Sequence, residues 1–143
     1  MLERTVNLWS IDADAKVVTT NGAIKYNGEN VMGAGTALQA RGMWPNLPGL
    51  VGDAIRLEGN HVYDFQFDNV LIITFPVKHT WWQIADIELI KRSADELVTF
   101  VDTTVFGQVA MPRPGCGNGR LRWEDVKPVI ESILDDRFTV VNL

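Results

Sequence analysis

A single cysteine, Cys116, leaves the chain without an intrachain disulfide and without the thiolates of a zinc-binding cluster, and this agrees with a reducing compartment. Long apolar runs are absent too. None approaches the roughly 18 residues that a membrane-crossing helix needs, and the opening stretch "MLERTVNLWSID" lacks the basic and apolar regions of a secretory leader. A cytoplasmic location with no membrane contact is the expectation. Excess positive charge is also lacking: the net charge is −5, which argues against tight non-specific DNA binding, since such binding depends on cations neutralising phosphates. What is present is a core. With 143 residues, 46% of them hydrophobic, the composition fits one compact domain over residues 1–143.

Along the chain, patterns of period two alternate with patterns of period 3.6. "TVNLWSI" (5–11), "AKVVTT" (15–20), "AIRLEG" (54–59), "HVYDFQF" (61–67), "GQVAMP" (107–112) and "RFTVVNL" (137–143) read as strands. "NVLIITFPV" (69–77) is almost unbroken in its apolarity and is expected at the centre of the sheet, covered on both faces. "TALQARGM" (36–43) reads as a helix, and "NLPGLVGD" (46–53) as a connection because of its turn residues. Ile84, Ile87, Ile90, Ala94, Leu97, Val98 and Val101 form a helical stripe within 82–101. A second stripe runs through Val126, Val129, Ile130, Ile133 and Leu134. That helix is expected to begin near Asp125, so that Pro128 falls close to its first turn. The order predicts an α/β domain with a mixed central sheet and helices on both faces.

In such folds ligands gather beyond the carboxyl ends of the strands. Three loops of unusual composition are expected there: 21–35, "PVKHTWW", and 113–119 within "PRPGCGNGRLRW". Glycine-rich backbone can turn several N–H groups toward one anion, and a following helix adds its N-terminal amides. Two such loops suit a pyrophosphate, although glycines in tight turns are an equally ordinary explanation of either one.

Taken together, "VVTTNGAIKYNGENVMGAGTALQA", "TFPVKHTWW" and "PRPGCGNGRLRWEDVKPVIE" resemble the macrodomain family over nearly the whole chain. The resemblance is to the branch containing the human terminal ADP-ribose glycohydrolase and the antitoxin that reverses thymidine ADP-ribosylation, with stand-alone copies in bacteriophages. It implies a three-layer α/β/α fold and an ADP-ribosyl hydrolase acting on DNA thymidine or protein, with no cofactor, no metal and a monomeric state. A binding module without turnover and an ADP-ribose 1″-phosphate phosphatase are the alternatives. The partner it implies is ADP-ribose or an ADP-ribosylated substrate, single-stranded DNA among the candidates.

Carried over by residue, the resemblance makes Lys78 the group acting at the anomeric carbon and Asn21 the partner of the distal ribose. Met32, Gly33, Ala34, Gly35 and Thr36 would follow the diphosphate. Pro114, Gly115, Cys116, Gly117, Asn118, Gly119 and Arg120 would wrap its other side, with Pro76 beneath, and Asn7 and Leu8 would meet the adenine. Two departures stand out. Asn7 occupies the place of the family's adenine-binding aspartate, and Gly119 that of the human enzyme's loop aspartate. Beside these residues, His61 is expected to be structural, and His79 to tune Lys78 or touch substrate. Trp44, Trp81 and Trp82 are candidates for base stacking, and Arg113, Arg120 and Arg122 for phosphate contact.

Overall fold

The computed structural model describes residues 1–143. Six strands form one mixed sheet: β1 (Leu2–Thr5), β2 (Ala15–Asn21), β3 (Asp64–Phe67), β4 (Val70–Lys78), β5 (Val109–Pro112) and β6 (Phe138–Asn142). Their spatial order is β1-β6-β5-β2-β4-β3, and only the β3–β4 pairing is antiparallel. The carboxyl ends of the five parallel strands therefore share one edge of the sheet. Four helices complete the fold: α1 (Gly35–Met43), α2 (Leu47–Glu58), α3 (Ile87–Asp102) and α4 (Trp123–Glu131).

Alternation along the strands divides the core into two layers. Val17, Ile73, Phe75 and Met111 face Ile90, Leu97, Val126 and Ile130 of α3 and α4. Val18 and Ile72 face Ala37, Ala40, Leu47 and Val51 of α1 and α2. The result is the expected three-layer α/β/α arrangement. No helix is long and apolar enough to cross a membrane.

Several elements differ from the sequence reading. Residues 46–59 form neither connection nor strand but the helix α2, because Pro48 sits in its first turn, where the missing N–H costs nothing. Gly52 is there for close approach: a Cβ would lie 1.9 Å from the Gly28 carbonyl oxygen. The first strand covers 2–5 instead of 5–11. Beyond it Asn7 starts a turn, its Oδ1 accepting the Trp9 N–H at 2.8 Å, while Leu8 and Ile11 cover Ala110 and Val141. Strand β4 is buried along its length but lies next to the edge strand β3, so the sheet centre is β5–β2. Helix α3 begins at Ile87, where Asp86 caps it by accepting the Glu88 N–H at 2.9 Å. Helix α4 begins at Trp123, which puts Pro128 in its second turn.

Candidate functional site

A cleft opens along the carboxyl edge of the sheet. Its deeper part, about 440 Å³, is walled by Thr19, Thr20 and Asn21 at the end of β2, by Val31 and Gly33–Ala37, by Val77, Lys78 and Trp81, and by Pro112, Arg113 and Gly115–Gly119 without Cys116. A second cavity of about 350 Å³ shares Thr36, Pro112, Arg113 and Gly117 with the first. It continues to Asn7, Leu8, Gln39, Cys116 and the end of β6. Both fall in the range of about 300–1,000 Å³ typical of small-ligand pockets.

The first wall is a loop leading into α1. Gly35 has φ +57°, a left-handed value that glycine adopts without strain, and a Cβ on Gly33 or Gly35 would meet no protein atom. The N-terminus of α1 has no side-chain cap and no acid in its first turn. Its amides and the positive end of its dipole are thus left facing the cleft, the arrangement that favours an anion. The rest of the loop is braced on α2: the Asn30 N–H donates to the Pro48 carbonyl at 2.9 Å, and Asn30 Nδ2 donates to the Asn21 and Ala23 carbonyls at 2.9 and 2.8 Å.

The opposite wall is the 113–119 loop. Gly115 (φ +76°) packs against Ile90 and Ala85 so closely that a Cβ would come within 2.7 Å of the Ile90 Cδ1. Gly119 lies on Gly115, where a Cβ would stand 2.5 Å from the Gly115 carbonyl oxygen. An aspartate at 119 is therefore excluded by packing. The sequence suggested that α4 would add its amides to this wall, but residues 121–125 line neither cavity. Its first turn already holds Glu124 and Asp125, which engage Arg122.

Between the walls, β2 and β4 end side by side, with Asn21 in register with Lys78 after a bulge at Thr20. Asn21 is built into its own loop. Its Nδ2 donates to the Val31 carbonyl and its Oδ1 accepts the Ala23 N–H, both at 2.9 Å, which leaves one amide N–H for a ligand. Lys78 is 6% exposed and forms no ion pair. Its Nζ donates to the carbonyls of Trp81 and Asn118, each at 3.3 Å. Burial pushes its pKa below the ordinary lysine value, and the charge of Arg120 adds to the effect. A neutral amine has two N–H bonds, matching these two carbonyls, and its lone pair remains for chemistry.

The other sequence candidates are distributed as follows. Met32 is buried in the layer beneath α1, Pro76 lies within β4 with its carbonyl accepting the Ser93 hydroxyl at 2.7 Å, and Pro114 is buried in its loop. None of the three lines a cavity. Arg120 is at the rim, in left-handed conformation (φ +65°), donating to the Trp82 carbonyl at 3.4 Å. His79 turns away from Lys78 and pairs with Asp86 at 2.8 Å, and His61 pairs with Glu96 at 2.7 Å. Trp44 stacks on Phe67 at 5.2 Å in the α1–α2 layer instead of facing the cleft. The Cys116 thiol is pushed up to about 11 by burial, which removes it as a nucleophile near neutrality. Sequence reasoning missed Thr19, Thr20 and Val77, ordinary residues that only the strand ends bring to the cleft, and with them Val31 of the 21–35 loop and Ala37 of α1.

No protein-family model matches the chain. Among curated proteins it is 29% identical over 136 residues to a DNA ADP-ribosyl glycohydrolase of Thermus aquaticus, covering 90% of this chain and 36% of that protein. The chain thus spans about a third of the relative's length. Among solved structures, the macrodomain of Mycobacterium tuberculosis DarG superposes with TM-score 0.81 at 25% identity, covering 99% of this chain and 97% of that one. The macrodomain of Thermus aquaticus DarG gives 0.83 at 24% identity with the same coverage. Thermosipho africanus DarTG in complex with ADP-ribose gives 0.76 at 20% identity, over 90% of this chain and 38% of that one.

Proposed function

This chain has the macrodomain fold, and from that premise we propose that its cleft holds ADP-ribose and that the protein removes ADP-ribose from a modified DNA base. The diphosphate lies over the uncapped N-terminus of α1, between Gly33–Thr36 and Gly115–Gly119. The adenine extends into the second cavity beside Asn7 and Leu8, and the distal ribose sits at Asn21 and Lys78. Asn7 meets the adenine with its Nδ2 or with the second lone pair of its Oδ1, whose first accepts the Trp9 N–H.

The observation that carries the catalytic reading is the buried Lys78 amine with no carboxylate partner. A ligand-holding module has no use for such a group, and an unpaired buried cation costs stability. In the reaction the neutral Nζ bonds to the anomeric carbon as the bond to the base breaks, and the proton lost from the resulting ammonium passes to the departing base nitrogen. Water then cleaves the lysine–sugar bond, releasing ADP-ribose and restoring the amine. The relative's name, a DNA ADP-ribosyl glycohydrolase, supports DNA as the target, as does the cationic rim of Arg113 and Arg120.

The test follows, by mass spectrometry, ADP-ribose release from a thymidine-ADP-ribosylated single-stranded oligonucleotide. Wild type is expected to release it, and Lys78→Ala to lose about a hundredfold or more in rate while still binding ADP-ribose. Binding without release by wild type would leave a reader of ADP-ribose in place of the enzyme.

A further inference from the structure

The five tryptophans fall into two groups. Trp9 and Trp44 pack together at 5.9 Å, and Trp123 lies beneath the Arg113 guanidinium at 4.9 Å and donates to Glu3. Trp81 and Trp82 do neither. They stand 58% and 62% exposed, side by side, with the exposed Ile84 two residues on. One exposed apolar side chain needs no explanation. Here three fall within four residues, and Trp81 is itself part of the wall around Lys78.

The exposure does not come from a loose segment. Lys78 Nζ holds the Trp81 carbonyl at 3.3 Å, and the Arg120 guanidinium holds that of Trp82 at 3.4 Å. The Thr80 N–H donates to Gln83 Oε1 at 3.2 Å, Ala85 N–H to the Gly119 carbonyl at 3.0 Å, and Asp86 N–H to that of Val77 at 2.9 Å. The backbone is tied at both ends and in the middle, so binding at the indoles requires no ordering of the main chain that carries them.

Arginines lie on the cleft side of the rings. Arg113 lines the cleft, Arg120 follows the lining residue Gly119 and reaches the Trp82 carbonyl, and neither is in an ion pair. The segment's one carboxylate, Asp86, is held by His79 and by the N–H of Glu88 at the start of α3. Residues 112–123, across the cleft, carry three arginines and no acid in a chain of net charge −5. Aromatic faces beside uncompensated cations are the elements that hold single-stranded nucleic acid, because every unpaired base offers a π-face and every linkage an anion.

We infer that Trp81 and Trp82, together with Arg120, form a stacking platform for the unpaired bases that flank the modified nucleotide in single-stranded DNA. The inference rests on the proposed DNA adduct. Stacking places the strand across the mouth of the cleft, beside Lys78, and duplex DNA, whose bases already stack on one another, gains nothing from the rings.

The test compares kcat/KM for release from the adduct within an oligonucleotide with that from the same adduct on an isolated nucleotide. Wild type is expected to prefer the oligonucleotide by about tenfold. Trp82, which lines neither cavity, is the residue to change. Trp82→Ala is expected to remove the preference, acting through KM, and Trp82→Phe to keep most of it. A preference that survives Trp82→Ala overturns the platform. If no DNA adduct is cleaved, the proposed function fails and the platform is judged by fluorescence anisotropy of a labelled, unmodified oligothymidine. Weakening of about tenfold by Trp82→Ala supports it. Equal binding by wild type and variant, no binding by wild type, or duplex bound as tightly as single strand overturns it.

Discussion

Replacing Gly52 by alanine is a one-methyl change about which the structure is explicit. The new Cβ would lie 1.9 Å from the Gly28 carbonyl oxygen and 3.1 Å from the Asn30 nitrogen, whereas Cβ contacts essentially never fall below 3.0 Å and ordinary ones begin at 3.4 Å. Either α2 or the 21–35 loop must move by about 1 Å. Helix α2 is fixed by Leu47 and Val51 in the core, so the loop gives way. Overpacking of this kind costs about 1–3 kcal/mol, loss of the Asn30 N–H bond to Pro48 adds about 1, and the better helix propensity of alanine returns up to about 1. The net loss of about 1–3 kcal/mol corresponds to a fall in Tm of about 3–10 °C for a domain of this size. The same loop carries Asn21 and the glycines before α1, so the affinity for ADP-ribose is expected to drop about tenfold as well.

Gly49→Ala supplies the control, because it lies on the same helix and its Cβ would meet nothing within 4 Å. It is expected to leave affinity unchanged and to raise stability by a few tenths to about 1 kcal/mol. Thermal melts and isothermal titration with ADP-ribose read both effects. If Gly52→Ala melts within about 1 °C of wild type and binds ADP-ribose equally well, the claim that α2 sets the position of the ligand loop is refuted.

Two further outcomes follow from the other wall and from Lys78. Gly119→Asp is expected to disrupt the 113–119 loop and lower Tm, since its Cβ would meet the Gly115 carbonyl oxygen at 2.5 Å; a folded variant with normal ADP-ribose affinity would contradict the packing argument. For Lys78, whose folded pKa is depressed, the reactive neutral form accumulates as pH rises through that lowered value, so kcat/KM should climb with pH and level off below the usual lysine range. Arg120→Gln removes a neighbouring charge that lowers this pKa and should move the rising limb to higher pH; an unmoved profile would exclude Lys78 as the titrating group. The depressed pKa also means that folding opposes protonation of Lys78. This cost is full below the folded pKa, declines as pH rises from there to the ordinary lysine value and is gone above it, so Lys78→Met should raise Tm at neutral pH.

The sequence carried the fold wherever burial dictated the residue pattern. The run Val70–Val77 must be apolar because helices cover both its faces, and the stripe from Ile87 to Val101 follows from packing on one side only. It misled where a residue had two uses. Pro48, Gly49 and Gly52 punctuate loops in general, but here a proline fits a first helical turn and a glycine permits close approach to Gly28. Val6, Leu8 and Ser10 alternate as a strand would, yet the Asn7 side chain takes the Trp9 N–H and turns the chain. In the cleft, the glycines and Lys78 could be singled out in advance by their chemistry and by resemblance. Thr19, Thr20 and Val77 could not, since threonine and valine at the end of a strand look the same whether or not a cleft lies beyond it.

The strand order has a consequence for how the protein comes to be active. The cleft is assembled at the ends of β5, β2 and β4, neighbours in the sheet that are far apart along the chain. Pairing β2 with β4 closes a loop containing α1, α2 and β3, and pairing β2 with β5 awaits the passage of α3 as well. Such non-local parallel pairings form late, after the loop-closure entropy has been met. Until both exist, the two glycine walls and the lysine belong to separate parts of an unfinished chain, and no cleft is there to hold a ligand. Ligand affinity is thus a readout of the completed fold, and any ligand held between these walls stabilises the assembled sheet centre by mass action, rising with the logarithm of its concentration.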